Sequence, residues 1–489
     1  MFDAGVSRKQ PREWVRGIRL IGTIAEMVPS DSIATDGRAN LSPSPAVQAG
    51  SFKRVLSLWD LIFFGIAFVT PTAPYAMFGI ATLKSHGHLP LVYLIAMVAM
   101  SFTAIAYGRM AAAFPESGST YAYATRSFNP TIGYFAGWGM ILDYILIPML
   151  SVIFLGLTAQ KLVPQVPYTV WVFLSAGTIT AINLCGIEMA ARANTVMNVF
   201  MGASLVWFIL MAVRALLNGV GAGSLISLSP FYNPETYSFP AIMGATSVAV
   251  FSFLGFDGVS TLSEDAKNPQ RDIWRATVLV CFICGGLFVL QSYLAQMVWP
   301  DYTTFSPVET AFMDISRRVG GAALFYFISF VLLVAGVSSA VTGQTSASRL
   351  LYGMGRDRLL PYRIFGYLHP KLGTPVYSVL LMGGIQLLGA LYLNFEKAAE
   401  MVNFGAFIGF MVVNLSVVRH YFIRCKERTG SRFLYNLVAP VLGCGFCFYI
   451  WLSLSHFSLS VGTLWMVAGF LYLVLLTRGF TRKLVELKW

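Results

Sequence analysis

Long apolar stretches separated by short polar segments run through this chain from Leu58 to Thr477. Twelve of them hold few charges: 58–83, 89–113, 132–157, 168–187, 195–217, 240–264, 273–299, 320–345, 375–393, 397–418, 434–454 and 459–477. A helix of about 20 such residues crosses the hydrocarbon core of a bilayer, so the pattern predicts an all-α membrane protein with twelve transmembrane helices.

Two of these windows are interrupted. Thr70-Pro71-Thr72-Ala73-Pro74 falls inside the first, and Phe253-Leu254-Gly255-Phe256-Asp257-Gly258 falls inside the sixth. Proline removes a backbone donor and glycine loosens the chain, so the helical ladder is expected to open at both places. Opened backbone at bilayer depth survives only where protein buries it or where it lines a cavity. Each break lies in the first span of a set of five. Five is odd, so the second set enters the bilayer the other way up, giving a five-plus-five inverted repeat with discontinuous helices 1 and 6. Matching interruptions of this kind point to the binding site of a secondary transporter.

The expected division is a polar tail over 1–56, a transmembrane domain over 57–478 and a second tail over 479–489. Within the domain the repeats span about 58–217 and 240–418, and two peripheral helices follow at about 434–477. The first tail is expected to be disordered or dispensable. Arg12–Met27 has the pattern of a basic amphipathic helix lying on the membrane, and a translation start at Met27 is the alternative. Among the loops, Tyr302–Arg318 reads as an external helix along the surface, and Arg349–Thr374 as a basic inner loop.

Composition agrees with the pattern: 56% of residues are hydrophobic and 11% charged. The net charge of +12 would suggest nucleic acid until its positions are considered. With the amino terminus inside, all of the 34 Lys and Arg residues except Lys84, Lys161, Arg214, Arg317, Arg318 and Lys397 fall in cytoplasmic segments. That asymmetry is the positive-inside rule, and a miscount by one helix would scramble it. Both termini are therefore expected in the cytoplasm of a plasma-membrane protein.

Ionisable groups inside spans are costly and need a reason. Asp143, followed by Tyr144, lies near mid-depth of the third span; Asp257 closes the second break, and Glu264 follows seven residues later. On an α-helix Asp257, Ser260, Thr261 and Glu264 share one face. Two carboxylates and two hydroxyls suit an amine, a cation or proton exchange and would repel an anion. Structural roles compete at each place. Asp143 could satisfy freed backbone donors, Asp257 could brace the opened helix, and Glu264 could stand in the headgroup region. Ser338, Ser339 and Thr342 in the eighth span could line an ion site or join helices. His86 and His88 share a short external loop, and Cys281/Cys284 and Cys444/Cys447 lack polar neighbours, so no metal or cofactor is expected. Walker-type, GxSxG and HExxH motifs are lacking, which leaves an ion gradient as the energy source and no basis for an enzyme.

Several stretches resemble the amino acid–polyamine–organocation superfamily of permeases, and within it the bacterial putrescine importers. They are Ser252–Gly258 with Leu262-Ser263-Glu264, and Leu142-Asp143-Tyr144 with Pro148-Met149. Arg349–Asp357, Phe365–Lys371, Asn403-Phe404-Gly405-Ala406 and Val413-Asn414-Leu415-Ser416 complete the set. The resemblance implies the fold just described, with substrate held between spans one, three, six, eight and ten. It also implies uptake of a small amine, a polyamine such as putrescine or an amino acid, by alternating access. Carried onto this chain, it makes Thr70, Thr72, Ala73 and Tyr75 at the first break, and Phe253, Gly255, Phe256 and Asp257 at the second, the substrate-binding candidates. Asp143, Tyr144 and Glu264 join them in the pocket, and a coupling proton or sodium accompanies the amine. An exchanger is the alternative. Two positions depart from the pattern: Ala76 stands where the putrescine importers carry an aspartate, and Met201 where some proton-coupled relatives carry a lysine.

Overall fold

The computed structural model describes residues 55–477 and 479, apart from 115–118, 186–189, 264, 357–359 and 371. They belong to one compact unit, Phe52–Trp489. The candidate helix Arg12–Met27 lies outside the described residues, as does Glu264.

The first span is split into α1 (Leu58–Val69) and α2 (Pro74–Lys84), bent by 57°. Then come α3 (Leu89–Ala113), the short α4 (Ser119–Ser127), α5 (Pro130–Leu162), α6 (Tyr168–Cys185) and α7 (Ala190–Leu217). The sixth span begins as α8 (Phe239–Ala249) and tightens into 3₁₀ segments at Val250–Phe253 and Phe256–Leu262. It is followed by α9 (Pro269–Val298), α10 (Ala311–Arg356), α11 (Val376–Tyr392), α12 (Phe395–Val417), α13 (Ala439–Leu452) and α14 (His456–Leu476). Among the described residues nine helices are long and apolar enough to cross a membrane. With the bent pair and the two shorter apolar helices, Tyr168–Leu184 and Val376–Tyr392, they account for all twelve windows.

Local sequence sets the helix starts. Ser57 and Asp60 form a capping box, with Ser57 N–H donating to Asp60 Oδ2 at 2.9 Å. The Asn129 side chain accepts from Ile132 N–H at 2.9 Å, and Pro130 sits in the first turn of α5, where its missing donor costs nothing. The surface segment expected at Tyr302–Arg318 is two 3₁₀ turns running into the start of α10. Non-helical backbone at Gly321 (φ 64°, ψ −158°) then separates that surface part from the span proper.

Ion pairs and bridges sort onto two faces. On one, Lys84 at the end of α2 meets Glu396 and Glu400 at the start of α12, at 2.7 and 2.6 Å. Lys161 at the end of α5 meets Asp314 at 2.7 Å on that face too. On the other, Arg109 at the end of α3 lies 3.7 Å from Glu427, between α12 and α13. The start of the first span and the end of the sixth are also tied together, with Lys267 N–H donating to Leu56 O at 2.9 Å. Serial crossings place each of these partners on a common side, as a twelve-span path requires.

Candidate functional site

The first break follows from Pro71 and Pro74, which donate no backbone hydrogen bond. Thr70 N–H closes α1 onto Ile66 O at 3.1 Å, and Thr70 itself turns to φ 63°, ψ 97°. Ala73 N–H then reaches Thr70 O at 2.9 Å, a tight turn from which α2 departs. The freed carbonyl of Pro71 is met from α9, where the buried Gln291 donates Nε2–H to it at 3.0 Å.

The second break forms where Leu254 becomes extended (ψ 137°) and Gly255 takes φ 108°. Just upstream, Asn403 of α12 donates Nδ2–H to Ser247 O and Val248 O at 2.7 and 3.4 Å. Tyr93 of α3 shares a hydrogen bond of 3.1 Å with Ser252 Oγ. Both breaks are thus held by polar side chains from neighbouring spans. Their main chains also meet. A Cβ on Gly255 would stand 2.8 Å from Phe68 O, and one on Gly258 would stand 3.0 Å from the Phe68 ring.

Two carboxyl groups flank this contact. Asp257 takes backbone hydrogen bonds from its own N–H and from those of Gly255 and Gly258. Asp143, on α5, is buried, and its Oδ1 has no hydrogen-bond partner. That oxygen lies 3.1 Å from where a Cβ of Gly405 would stand. Glycine is required there, because the added carbon would also run into Gly139 O. Asp143 and Asp257 are close enough to act on each other electrostatically, and both act on Tyr107 and on Tyr144. Tyr144 is 47% exposed and Phe68 54%, although both lie beside buried groups of the breaks.

The remaining sequence candidates divide. Thr70 and Ala73 are half-buried in the first turn and Thr72 is buried. Tyr75 is turned into the core, stacked 3.8 Å from Phe312 and edge-on to Phe208. Phe253 packs on Tyr93 and Phe288, and Phe256 on Tyr107 and Phe410. Ser339 accepts a hydrogen bond from Ser151 of α5 at 3.2 Å, and the Ser339 and Thr342 side chains are exposed; Ser338 is also engaged. The shared face expected at 257, 260, 261 and 264 takes a different form, because 256–262 is 3₁₀ with three residues per turn. Asp257 and Ser260 remain aligned, and Ser260 Oγ is buried without a partner. The side chain of Thr261 and all of Glu264 lie outside the described residues.

Sequence reasoning passes over Gln291 and Phe68, and it meets Asn403 only as part of a motif. A polar amide inside an apolar span is the available signal for Gln291 and Asn403.

The family model described as amino acid permease matches residues 60–476. The chain is 33% identical over 438 residues to the low-affinity putrescine importer PlaP of Escherichia coli, covering 89% of this chain and 96% of that protein. It is 25% identical to the methylthioribose transporter of Bacillus subtilis, over 88% of this chain and 94% of the relative. It is 23% identical to the branched-chain amino acid permease BcaP of the same organism, over 88% and 95%.

Proposed function

The chain belongs to the amino acid permease family, and from that premise we propose that it imports a small amine across the plasma membrane by alternating access. It is a multi-pass membrane transporter and not an enzyme. Putrescine is the first candidate substrate, supported by the relative named for it, and an amino acid is the second. The observation that carries the reading is the apposition of the two broken spans, Phe68 against Gly255 and Gly258, beside the carboxyl groups of Asp143 and Asp257.

An ammonium group entering this space meets carboxyl oxygens and the π-face of Tyr144, and among the described residues no basic side chain acts on either aspartate. A proton or sodium gradient drives the import, and both termini lie in the cytoplasm. Labelled putrescine taken up by proteoliposomes and chased with a panel of amines and amino acids tests the substrate class. Competition by diamines selects a polyamine, and competition by amino acids alone selects those. Failure of every amine to compete would remove the amine reading. Uptake into empty vesicles separates an importer from an exchanger, which needs internal counter-substrate.

A further inference from the structure

Asp143 presents a carboxyl oxygen that no donor among the described residues satisfies. Its Oδ1 is buried with no donor, and Gly405 of α12 presses against it without offering one. The charged and titratable groups facing it are Asp257 from the second break, Tyr107 from α3 and Tyr144 from its own helix. Of the other elements packed on α5, α4 carries Tyr121, Tyr123 and Arg126, α12 carries Glu396, Lys397 and Glu400 in its first turns, α6 carries Tyr168 and α14 carries His456 and Tyr472, whereas α11 and the span part of α10 between Arg318 and Arg349 contain no charged residue. An ionised carboxylate left so would be desolvated, unpaired and repelled by Asp257.

Asp257 differs. Three backbone N–H groups point at its oxygens and offset part of the cost of burying its charge. The two aspartates therefore have separate roles. Asp257, with its backbone donors, is the better placed to hold an anion, and Asp143 the better placed to hold a proton.

We infer that Asp143 is the proton-carrying group of the transport cycle, so that the coupling ion is H⁺. This rests on the amine-carrier reading above. Asp143 binds a proton from the outer solution while the amine's ammonium faces Asp257. With Asp143 protonated, one ammonium of the amine balances Asp257, and both the proton and the amine are released on the inner side. Nothing is oxidised or reduced, and the proton that enters on Asp143 leaves from it.

The test uses the full chain in proteoliposomes with labelled putrescine. In wild type an inside-alkaline pH gradient drives accumulation and an inward sodium gradient at equal pH does not. Asp143→Asn loses the accumulation, and whatever uptake it retains no longer responds to the pH gradient. Asp143→Glu, which restores an acid, keeps gradient-driven accumulation with a displaced pH profile, and it serves where the Asn variant fails to fold. Infrared difference spectra add a readout free of substrate: a protonated-carboxyl stretching band in wild type that Asp143→Asn lacks and Asp143→Glu moves. Accumulation in Asp143→Asn equal to wild type, sodium as the sole driver, or an unchanged band would each overturn the assignment. Wild type that exchanges no amine at all sinks the carrier reading instead, while the infrared band still decides where the proton resides.

Discussion

Gly255 concentrates two demands on one residue. Its backbone sits at φ 108°, where side chains are rarely tolerated, and its Cα faces Phe68 O so closely that a Cβ would stand 2.8 Å away. Gly255→Ala is expected to cost about 1–3 kcal/mol from the backbone alone. Since the strain falls where the broken spans touch, transport should fall much further than the yield of folded protein. Uptake normalised to folded protein checks this, and equal losses of both would remove the special role of the contact. Asn403 makes a related argument in donors. Asn403→Ala leaves Ser247 O and Val248 O without their partner, a loss of about 1–3 kcal/mol for a buried polar group. Asn403→Asp should be worse, because it sets a carboxylate against two carbonyls. Thermal unfolding of the two purified variants orders them, and a more stable Asp variant would refute the donor role. The breaks themselves are legible in sequence because Pro71, Pro74, Gly255 and Gly258 act through local geometry. Gln291 and Asn403 are not legible as their partners, since which amide reaches an open carbonyl depends on helix packing across 220 and 156 residues of chain.

At the scale of elements, α2 packs chiefly on parts of the second repeat, above all α8. Its end is held by Lys84, which bonds Glu396 at 2.7 Å and Glu400 at 2.6 Å. Glu400 is 1% exposed, and its other oxygen accepts from Ser455 N–H and Ser458 Oγ–H at the start of α14, both at 3.1 Å. A helix expected to be peripheral thus helps to orient the carboxylate that anchors α2. Lys84→Met strands a buried anion and should destabilise by about 2 kcal/mol, less than a fully enclosed pair because Lys84 is 26% exposed. Glu400→Gln in the same chain removes the stranded charge. The double variant should therefore unfold at a higher temperature than Lys84→Met alone. Simple addition of the two losses would show that the pair is not coupled. Some helix positions are readable from hydropathy, Leu89–Ala113 among them, whereas the helix expected to end at 345 continues to Arg356. The 3₁₀ winding after Ala249 is not, because an α-helix and a 3₁₀ segment share the same apolar composition and differ in how neighbouring donors satisfy the chain.

For the whole molecule, charge asymmetry and three-dimensional contacts give independent accounts of the same path. The positive-inside count places Arg109 and the α12–α13 connection in the cytoplasm, and the structure joins them through Glu427 and through Arg109 stacked 4.1 Å from the Tyr421 ring. Lys84, Glu396, Lys161 and Asp314 fall on the opposite face by the same count, and they too are paired with each other. What sequence leaves open is which loops touch, since loop contacts depend on how spans pack in the membrane plane. Cys425 offers a native probe of the orientation. It is exposed in the α12–α13 connection, whereas Cys281, Cys284 and Cys447 are buried. A membrane-impermeant thiol reagent should modify inside-out vesicles and spare intact cells, and Cys425→Ser should abolish the modification. Labelling of intact cells that disappears in Cys425→Ser would turn the molecule over. The Lys84 face would then look into the cytoplasm, and the basic face would lie outside, against the positive-inside expectation.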